Sequence, residues 1–325
     1  MSRAFPIVNL EIHESDIASP NSLRRYGAPL GISVLLLGVE ILSPTFLSRS
    51  NVSNMLQQMA PLGIVVLGQT FVMLVGGLDL SVASIMATSA VIATGIHGQG
   101  DAWLIVGASL AMGIGVGFVN GTLVTKRAVS PFLATLATAT VLEGLRYAYT
   151  EGAPSGNVPN IFRVIGSGSI YGLPCNLLLL CALAVVFVVV QQRSRFGRTV
   201  YLVGNNSVMS TLVGLNTHRI TTICFVLSGA LAAVGGIVVS GFTGVVDNFV
   251  GRGFELDSIV AAVLGGVSLA GGRGTVFSAL GGTALLVLMS NAVLMLGLPP
   301  QAQIAIKGAL IIVAATLARR LDSFR

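Results

Sequence analysis

Apolar stretches of about twenty residues recur along this chain from residue 28 to residue 318, separated by short polar connections. A bilayer core about 30 Å thick takes roughly 20 apolar residues to cross as a helix, and lipid offers no partner to an open backbone amide. The pattern predicts about ten transmembrane helices, near 28–46, 54–75, 81–96, 103–124, 131–149, 173–191, 220–240, 258–271, 275–296 and 301–318. Only 9% of the residues are charged, against roughly a quarter in soluble domains, so an ordinary soluble fold is excluded. The expected fold class is an all-α integral membrane protein. It comprises a polar cytoplasmic segment over 1–26 and a single transmembrane domain over 27–325. The first segment carries Glu11, Glu14 and Asp16 and does not resemble a signal peptide, so the first apolar helix is expected to insert itself.

One long polar island interrupts the apolar pattern. Residues 191–219 carry Arg193, Arg195, Arg198, His218 and Arg219 without a carboxylate. Lys and Arg collect on the cytoplasmic side, so the loop 192–219 is predicted to face the cytoplasm and to offer a partner protein a grip. With both termini cytoplasmic, Arg3, Arg24, Arg25, Lys126, Arg127, Arg273 and the C-terminal arginines fall inside, while Arg49, Arg163 and Arg252 fall outside. The flipped arrangement would reverse that bias. The formal net charge of +6 therefore reads as topology and contact with anionic lipid, not as a nucleic-acid site. The chain has neither GxxxxGK[ST] nor GxSxG, so no nucleotide hydrolysis or enzymatic chemistry is expected of it. Its scattered His13, His97 and His218 predict no metal site, and no cofactor is expected.

Ten spans divide into five and five, which places the second half upside down relative to the first if the halves repeat. Leu78-Asp79-Leu80-Ser81 opens the third span and Leu256-Asp257-Ser258 the eighth, with proline before the fifth and the tenth. Short or glycine-interrupted spans at corresponding positions point to a translocation path near the midplane. Asp79 and Asp257 also read as caps on helix starts, and the two readings are compatible. Asn120 and Asn291 stand five helices apart. With Gln69, Ser81 and Thr135, Asn120 would line a path of uncharged hydrogen-bonding groups suited to a sugar, the alternative being hydrogen bonds between helices. Glu143 and Arg146 are spaced to pair on one helix turn, and Glu40 and Lys307 are expected to reach the interface. Gly113, Gly117 and Gly121 form a smooth stripe for close helix approach. A proton relay through Asp79, Glu143 and Asp257 is the rival reading and implies a stand-alone transporter driven by an ion gradient.

Four blocks carry a resemblance: GGLDLSVAS at 76–84, PFLATLAT at 131–138, FGRTVYLVGNN at 196–206 and FELDSIVAAVLGGVSLAGGRGTV at 254–276. The chain resembles the permease subunits of bacterial ABC sugar importers of the ribose, xylose and galactose type, from about residue 50 to residue 318. The branched-chain amino-acid permeases are a more distant branch. The resemblance implies a multi-pass protein of the bacterial cytoplasmic membrane that pairs with a second permease subunit, identical or homologous. It also implies a cytoplasmic ABC ATPase and a soluble binding protein that delivers a monosaccharide outside; a permease for an amino acid or nucleoside is the alternative within the class. It places a coupling helix at roughly 205–215, with Arg198, Gly204, Asn205, Asn206, Met209, Leu212 and Gly214 in the ATPase-contacting loop. There the usual Asn-Glu-x-Ala-Ala-Arg pattern reads Asn206, Ser207, Val208, Met209, Ser210 and Thr211. Glu143 stands where the family usually has Arg, and Ala83 where it has Gly. Asp247, Arg252 and Glu255 are the candidates for docking the binding protein.

Overall fold

The computed structural model describes residues 43–95, 102–153, 157–244, 246–299 and 301–310, together with residues 38, 40, 41 and 312. The N-terminal segment 1–26, most of the predicted span 28–46 and the end of the span 301–318 lie outside the described residues. The rest is mainly helical: α1 (Arg49–Leu74), α2 (Val82–Gly95), α3 (Ala102–Lys126), α4 (Pro131–Thr150), α5 (Asn160–Ser167), α6 (Cys175–Arg193), α7 (Arg195–Asn205), α8 (Ser207–Leu212), α9 (Thr217–Thr243), α10 (Phe254–Leu264) and α11 (Val276–Met295). Residues 301–310 are also helical. A ribbon of β1 (Ser169–Ile170) and β2 (Leu173–Pro174) pairs antiparallel ahead of α6. Among the described helices, α1, α3, α6, α9 and α11 are long and apolar enough to cross a membrane, and α2 is a shorter apolar helix.

The hub is α1. Ser48 caps its start by accepting a hydrogen bond from the Asn51 N–H at 3.4 Å, and every residue from Ala60 to Leu74 is buried. A helix that is apolar all round belongs inside a bundle, and α1 serves two cores at once. Met55, Leu62, Val66 and Met73 pack with Val260 and Leu286 of α10 and α11. Ile64, Leu67 and Phe71 pack with Leu180 of α6 and Phe225 and Leu231 of α9.

The glycine stripe of α3 meets α9 of the same chain. A Cβ at Gly117 would overlap the Phe225 carbonyl, one at Gly113 would overlap the Gly229 carbonyl, and one at Gly121 would lie 2.7 Å from Thr222 Cα. The two backbones therefore touch directly, as small residues allow in membranes.

Two expectations are corrected. The segment 150–172, left between the predicted spans 131–149 and 173–191 as a polar connection, contains α5 and the β ribbon; its Gly and Pro content masked a two-turn helix whose apolar face buries Phe162 and Gly166. The predicted eighth span at 258–271 is an 11-residue helix starting earlier, at Phe254, and the glycines from Gly265 onward form turns that lead to α11. The matching Leu-Asp motifs also differ in structure: Leu78–Ser81 is irregular and precedes α2, whereas Leu256–Ser258 lies inside α10.

Candidate functional site

Between the end of α1 and the start of α2 the chain is irregular over 77–81, and its polar groups converge with those of two further helices. Asp79 Oδ1 accepts from the Ser81 N–H at 2.9 Å and from the Ser81 hydroxyl at 2.5 Å, which holds the turn into α2 as a capping carboxylate does. Asn120 of α3 donates to Ser81 Oγ at 2.9 Å, and its carbonyl oxygen accepts from Thr138 of α4 at 2.8 Å. Thr135 Oγ1 accepts from the Leu80 N–H at 3.1 Å and donates to the Pro131 carbonyl at 2.8 Å. In the amide orientation that satisfies both groups, Gln69 of α1 donates to the Asp79 carbonyl at 3.2 Å and accepts from the Asp79 N–H at 3.3 Å. Gln69, Asp79, Ser81, Asn120 and Thr135 are all fully buried. Five of the seven predicted pathway residues thus form one connected network, and Asp79 Oδ2 remains in it without a hydrogen-bond partner.

A cavity of about 450 Å³ opens beside this network, within the usual range for small-molecule sites of about 300–1,000 Å³. Its walls come from Leu80 ahead of α2, from α2 (Ser84), from α4 (Thr140, Glu143, Arg146), and from Arg252 and Glu255 at the start of α10. Leu80 belongs both to the cavity wall and, through its N–H, to the network. Glu143 and Arg146 do not form the expected local bridge. Arg146 reaches across to the Asn248 carbonyl at 3.1 Å and, at 3.5 Å, to the Ser84 carbonyl and the Thr88 hydroxyl. The guanidinium is thereby buried between α2, α4 and the loop before α10, which leaves Glu143 lining the cavity.

At the mouth, the docking candidates share one turn. Asp247 accepts from the Phe249 N–H at 2.8 Å, Glu255 accepts from the Gly253 N–H at 2.9 Å, and Arg252 sits 5.6 Å from the centre of the Phe249 ring. Asn248 ties the turn to the end of α4 by donating to the Thr150 hydroxyl and the Gly152 carbonyl, both at 3.1 Å.

The other two pathway candidates lie elsewhere. Asp257 does not cap a helix: it accepts from Lys307 Nζ at 2.7 Å, so Lys307 is paired and does not reach for the interface. The pair lines a second cavity of about 350 Å³ with Gln58, Ser290 and Gln303. Asn291 of α11 exchanges amide hydrogen bonds with Asn51 of α1, an interhelical bond of the kind weighed against a pathway role. The carboxylates of the relay reading, Asp79, Glu143 and Asp257, share no hydrogen bond with one another, and Asp79 and Asp257 have separate partners.

The basic island folds into two short helices. Ser194 caps α7 by accepting from the Gly197 N–H, and Asn206 caps α8 by accepting from the Met209 N–H, both at 2.9 Å. Gly214, at φ 85°, follows the end of α8. Within 205–215, where the resemblance implies a helix, the chain forms the six-residue α8. On it and just beyond, Val208, Met209, Leu212 and Val213 are 68%, 55%, 75% and 71% exposed, so an apolar tip stands clear of the bundle. Behind the tip, Gly204 lies against the Leu74 carbonyl at the end of α1, which accepts from the Gly272 N–H at 2.9 Å. Tyr201 donates from its hydroxyl to the Gly274 carbonyl at 2.6 Å, and burial pushes its phenol above the ordinary tyrosine value. Asn205 donates to the Tyr201 carbonyl, and Arg198 is exposed on the outer side of α7.

Sequence reasoning missed Thr138, Asn51 and the roles of Glu143 and Arg146. Thr138 stands three residues after Thr135 and shares its helix face, a spacing that could have revealed it. Asn51 had no such signal, because its partner lies in a distant part of the chain.

Comparison with known proteins accords with this architecture. Over 314 residues the chain is 34% identical to the ribose import permease protein of Bacillus subtilis, covering 96% of this chain and 98% of that one. It is 31% identical over 294 residues to the L-arabinose transport system permease protein of Escherichia coli, covering 90% and 89% of the two chains. To the fructose import permease protein of Rhizobium meliloti it is 33% identical over 303 residues, covering 89% and 82%. No solved structure matches the chain. Residues 51–315 match the family described as branched-chain amino acid transport system / permease component, and with most of its length inside that match the chain belongs to this family of membrane permeases.

Proposed function

We propose that this chain is the transmembrane permease subunit of an ATP-driven ABC importer of the bacterial cytoplasmic membrane and forms the pathway for a monosaccharide. The observation that carries the reading is the cavity between α2, α4 and α10, walled by hydroxyl, carboxylate and guanidinium groups and abutting a buried hydrogen-bonded network. In this reading about ten helices in two inverted halves span the membrane, with both termini and the island cytoplasmic. The cavity then opens to the outside, where Asp247, Arg252 and Glu255 receive a sugar-loaded binding protein. The network of Asp79, Ser81, Asn120 and Thr135 closes the inner end. Hydroxyls and amides suit this task, because they replace a sugar's water contacts without fixing it permanently.

The energy enters through the apolar tip of α8. A separate ATPase binds Met209 and Leu212, and its closure moves the island against α1 and the 271–274 turn, so that access alternates between two states. A second permease subunit, identical or homologous, completes the pathway. The names of the relatives, which import ribose, L-arabinose and fructose, favour a sugar. A second reading within the same class is an amino acid, favoured by the presence of both Glu143 and Arg252 in one cavity, charges complementary to an ammonium and a carboxylate.

The test is to extract the tagged chain in mild detergent, identify what co-purifies, and measure hydrolysis with binding protein loaded with different solutes. A stoichiometric ATPase stimulated by a sugar-loaded protein supports the proposal. Stimulation by an amino-acid-loaded protein only selects the second reading. Uptake that survives ATP depletion and collapses with an uncoupler overturns both.

A further inference from the structure

The direct backbone contact of α3 and α9 creates a groove on their outer flank. Toward the end of α3 and the start of α9 the helices touch backbone to backbone, at Gly117 against Phe225 and Gly121 against Thr222. Between them is a cleft of about 540 Å³. It is lined by the apolar Phe118, Ile223 and Val226 and by the cations Lys126 and Arg219, with hydroxyl, amide and imidazole groups between them. Phe118, Lys126, His218 and Arg219 are exposed, so the cleft faces away from the bundle.

We propose that this groove binds an anionic phospholipid, its phosphate held by Lys126 and Arg219 and one acyl chain laid along Phe118, Ile223 and Val226. Three observations converge on that occupant. The groove pairs apolar side chains with cations at one end, the distribution of charge in a lipid reversed in sign. Nothing in its lining is anionic, so the two cations have no carboxylate there to neutralise them. They also lie at the ends of α3 and α9, where a helix leaves the hydrocarbon and meets headgroups, and basic pockets between helices at that depth attract anionic headgroups. The first turn of α9 adds the favourable end of its dipole.

A second copy of this chain fits less well. None of the described carboxylates belongs to residues 119–130 or 191–222, which form this end of the molecule, so a copy meeting it there brings more positive charge. Assigning the lipid to the cytoplasmic leaflet rests on the proposed orientation, whereas the pairing of cations with an apolar cleft does not.

The experiment is native mass spectrometry of the full-length chain in detergent, titrated with phosphatidylglycerol and, separately, with phosphatidylcholine. We expect phosphatidylglycerol to be retained at lower concentration, and the double change Lys126→Gln and Arg219→Gln to weaken it about thirtyfold. Arg193→Gln with Arg195→Gln, on the same basic island but outside the groove, should leave retention unchanged. Ile223→Trp, which fills the cleft and keeps the charges, should reduce it as well. Equal retention of the two lipids overturns the proposal without any variant, and so does an unchanged titration in the Lys126/Arg219 variant. An equal loss in the Arg193/Arg195 variant, which would reveal diffuse attraction only, also overturns it. Cross-linking between copies through Phe118→Cys in native membranes would assign the face to a second subunit and overturn it too. Accessibility of Met209→Cys to a membrane-impermeant reagent reports the orientation separately, so a lipid bound in the other leaflet would correct the leaflet and leave the site.

Discussion

Asn51 and Asn291 hold each other's side-chain amides in a reciprocal pair, Nδ2 to Oδ1 at 2.8 Å in one direction and 2.9 Å in the other. Asn51 also donates to the Phe46 carbonyl at 2.8 Å, so one side chain joins α1, α11 and the turn before α1. Removing the Asn291 amide leaves Asn51 Oδ1 buried without its donor, although Asn51 Nδ2 keeps the Phe46 carbonyl, so Asn291→Ala should cost about 1 kcal/mol. The loss will appear as a lower thermal midpoint in detergent. The double change with Asn51→Ala should cost less than the sum of the two single changes, as expected for a shared interaction.

Asn120 links Ser81 to Thr138 and so connects three chain segments within the buried network. Asn120→Ala removes both bonds, while Asn120→Asp keeps the acceptor and loses the donor to Ser81. On the proposed mechanism, Ala should lower uptake about tenfold, a loss of roughly 1.4 kcal/mol, and raise hydrolysis in the absence of loaded binding protein. Uptake and ATPase activity measured together in proteoliposomes check this.

Two glycines two residues apart on α3 should differ sharply in their tolerance of a methyl group. Gly117→Ala drives a Cβ into the Phe225 carbonyl, whereas a Cβ at Gly115 meets nothing within 4 Å. Overpacking of this kind costs about 1–3 kcal/mol. Gly117→Ala should therefore lower the thermal midpoint and Gly115→Ala should not.

Met209 and Leu212 stand exposed on a helix of six residues held at its start by the Asn206 cap. Met209→Pro removes the N–H that Asn206 accepts, and Leu212→Asp places charge on the apolar tip. Each should abolish stimulation of a co-purified ATPase while membrane insertion and the thermal midpoint stay close to normal. Normal coupled uptake in either variant would rule out the tip as the contact.

Lys307 is paired with Asp257 at a site where both side chains are largely withdrawn from solvent. Lys307→Ala leaves a lone carboxylate and should destabilise the protein by about 3 kcal/mol. Replacing both residues, Asp257→Asn with Lys307→Gln, should recover much of that loss in the same melting assay.

Most of the helical layout was legible because apolar length is read directly from sequence. The predicted spans 54–75, 103–124 and 275–296 match α1, α3 and α11 to within a few residues. Residues near one another in sequence also revealed the network: Asp79 and Ser81 define the turn into α2, and Thr135 meets it because Pro131 starts α4 nearby. What failed were inferences that assumed local partners. Arg146 spans from α4 to Asn248 in place of pairing with Glu143, and Asp257 finds Lys307 fifty residues away in place of capping α10. Asn120 and Asn291, alike in position along the chain, do different things, since a side-chain amide takes whatever donor and acceptor the packing presents.

Gly204, the Leu74 carbonyl and the Gly272 N–H meet as bare backbone, with no side chain between them to bend or change rotamer. A joint of this kind has almost no slack. On the proposed coupling, a displacement of α7 would reach the foot of α1 and the turn before α11 through this one backbone contact. A single methyl added at Gly204 would overlap the Leu74 carbonyl and wedge the island away from both, without touching any residue proposed to meet solute or partner.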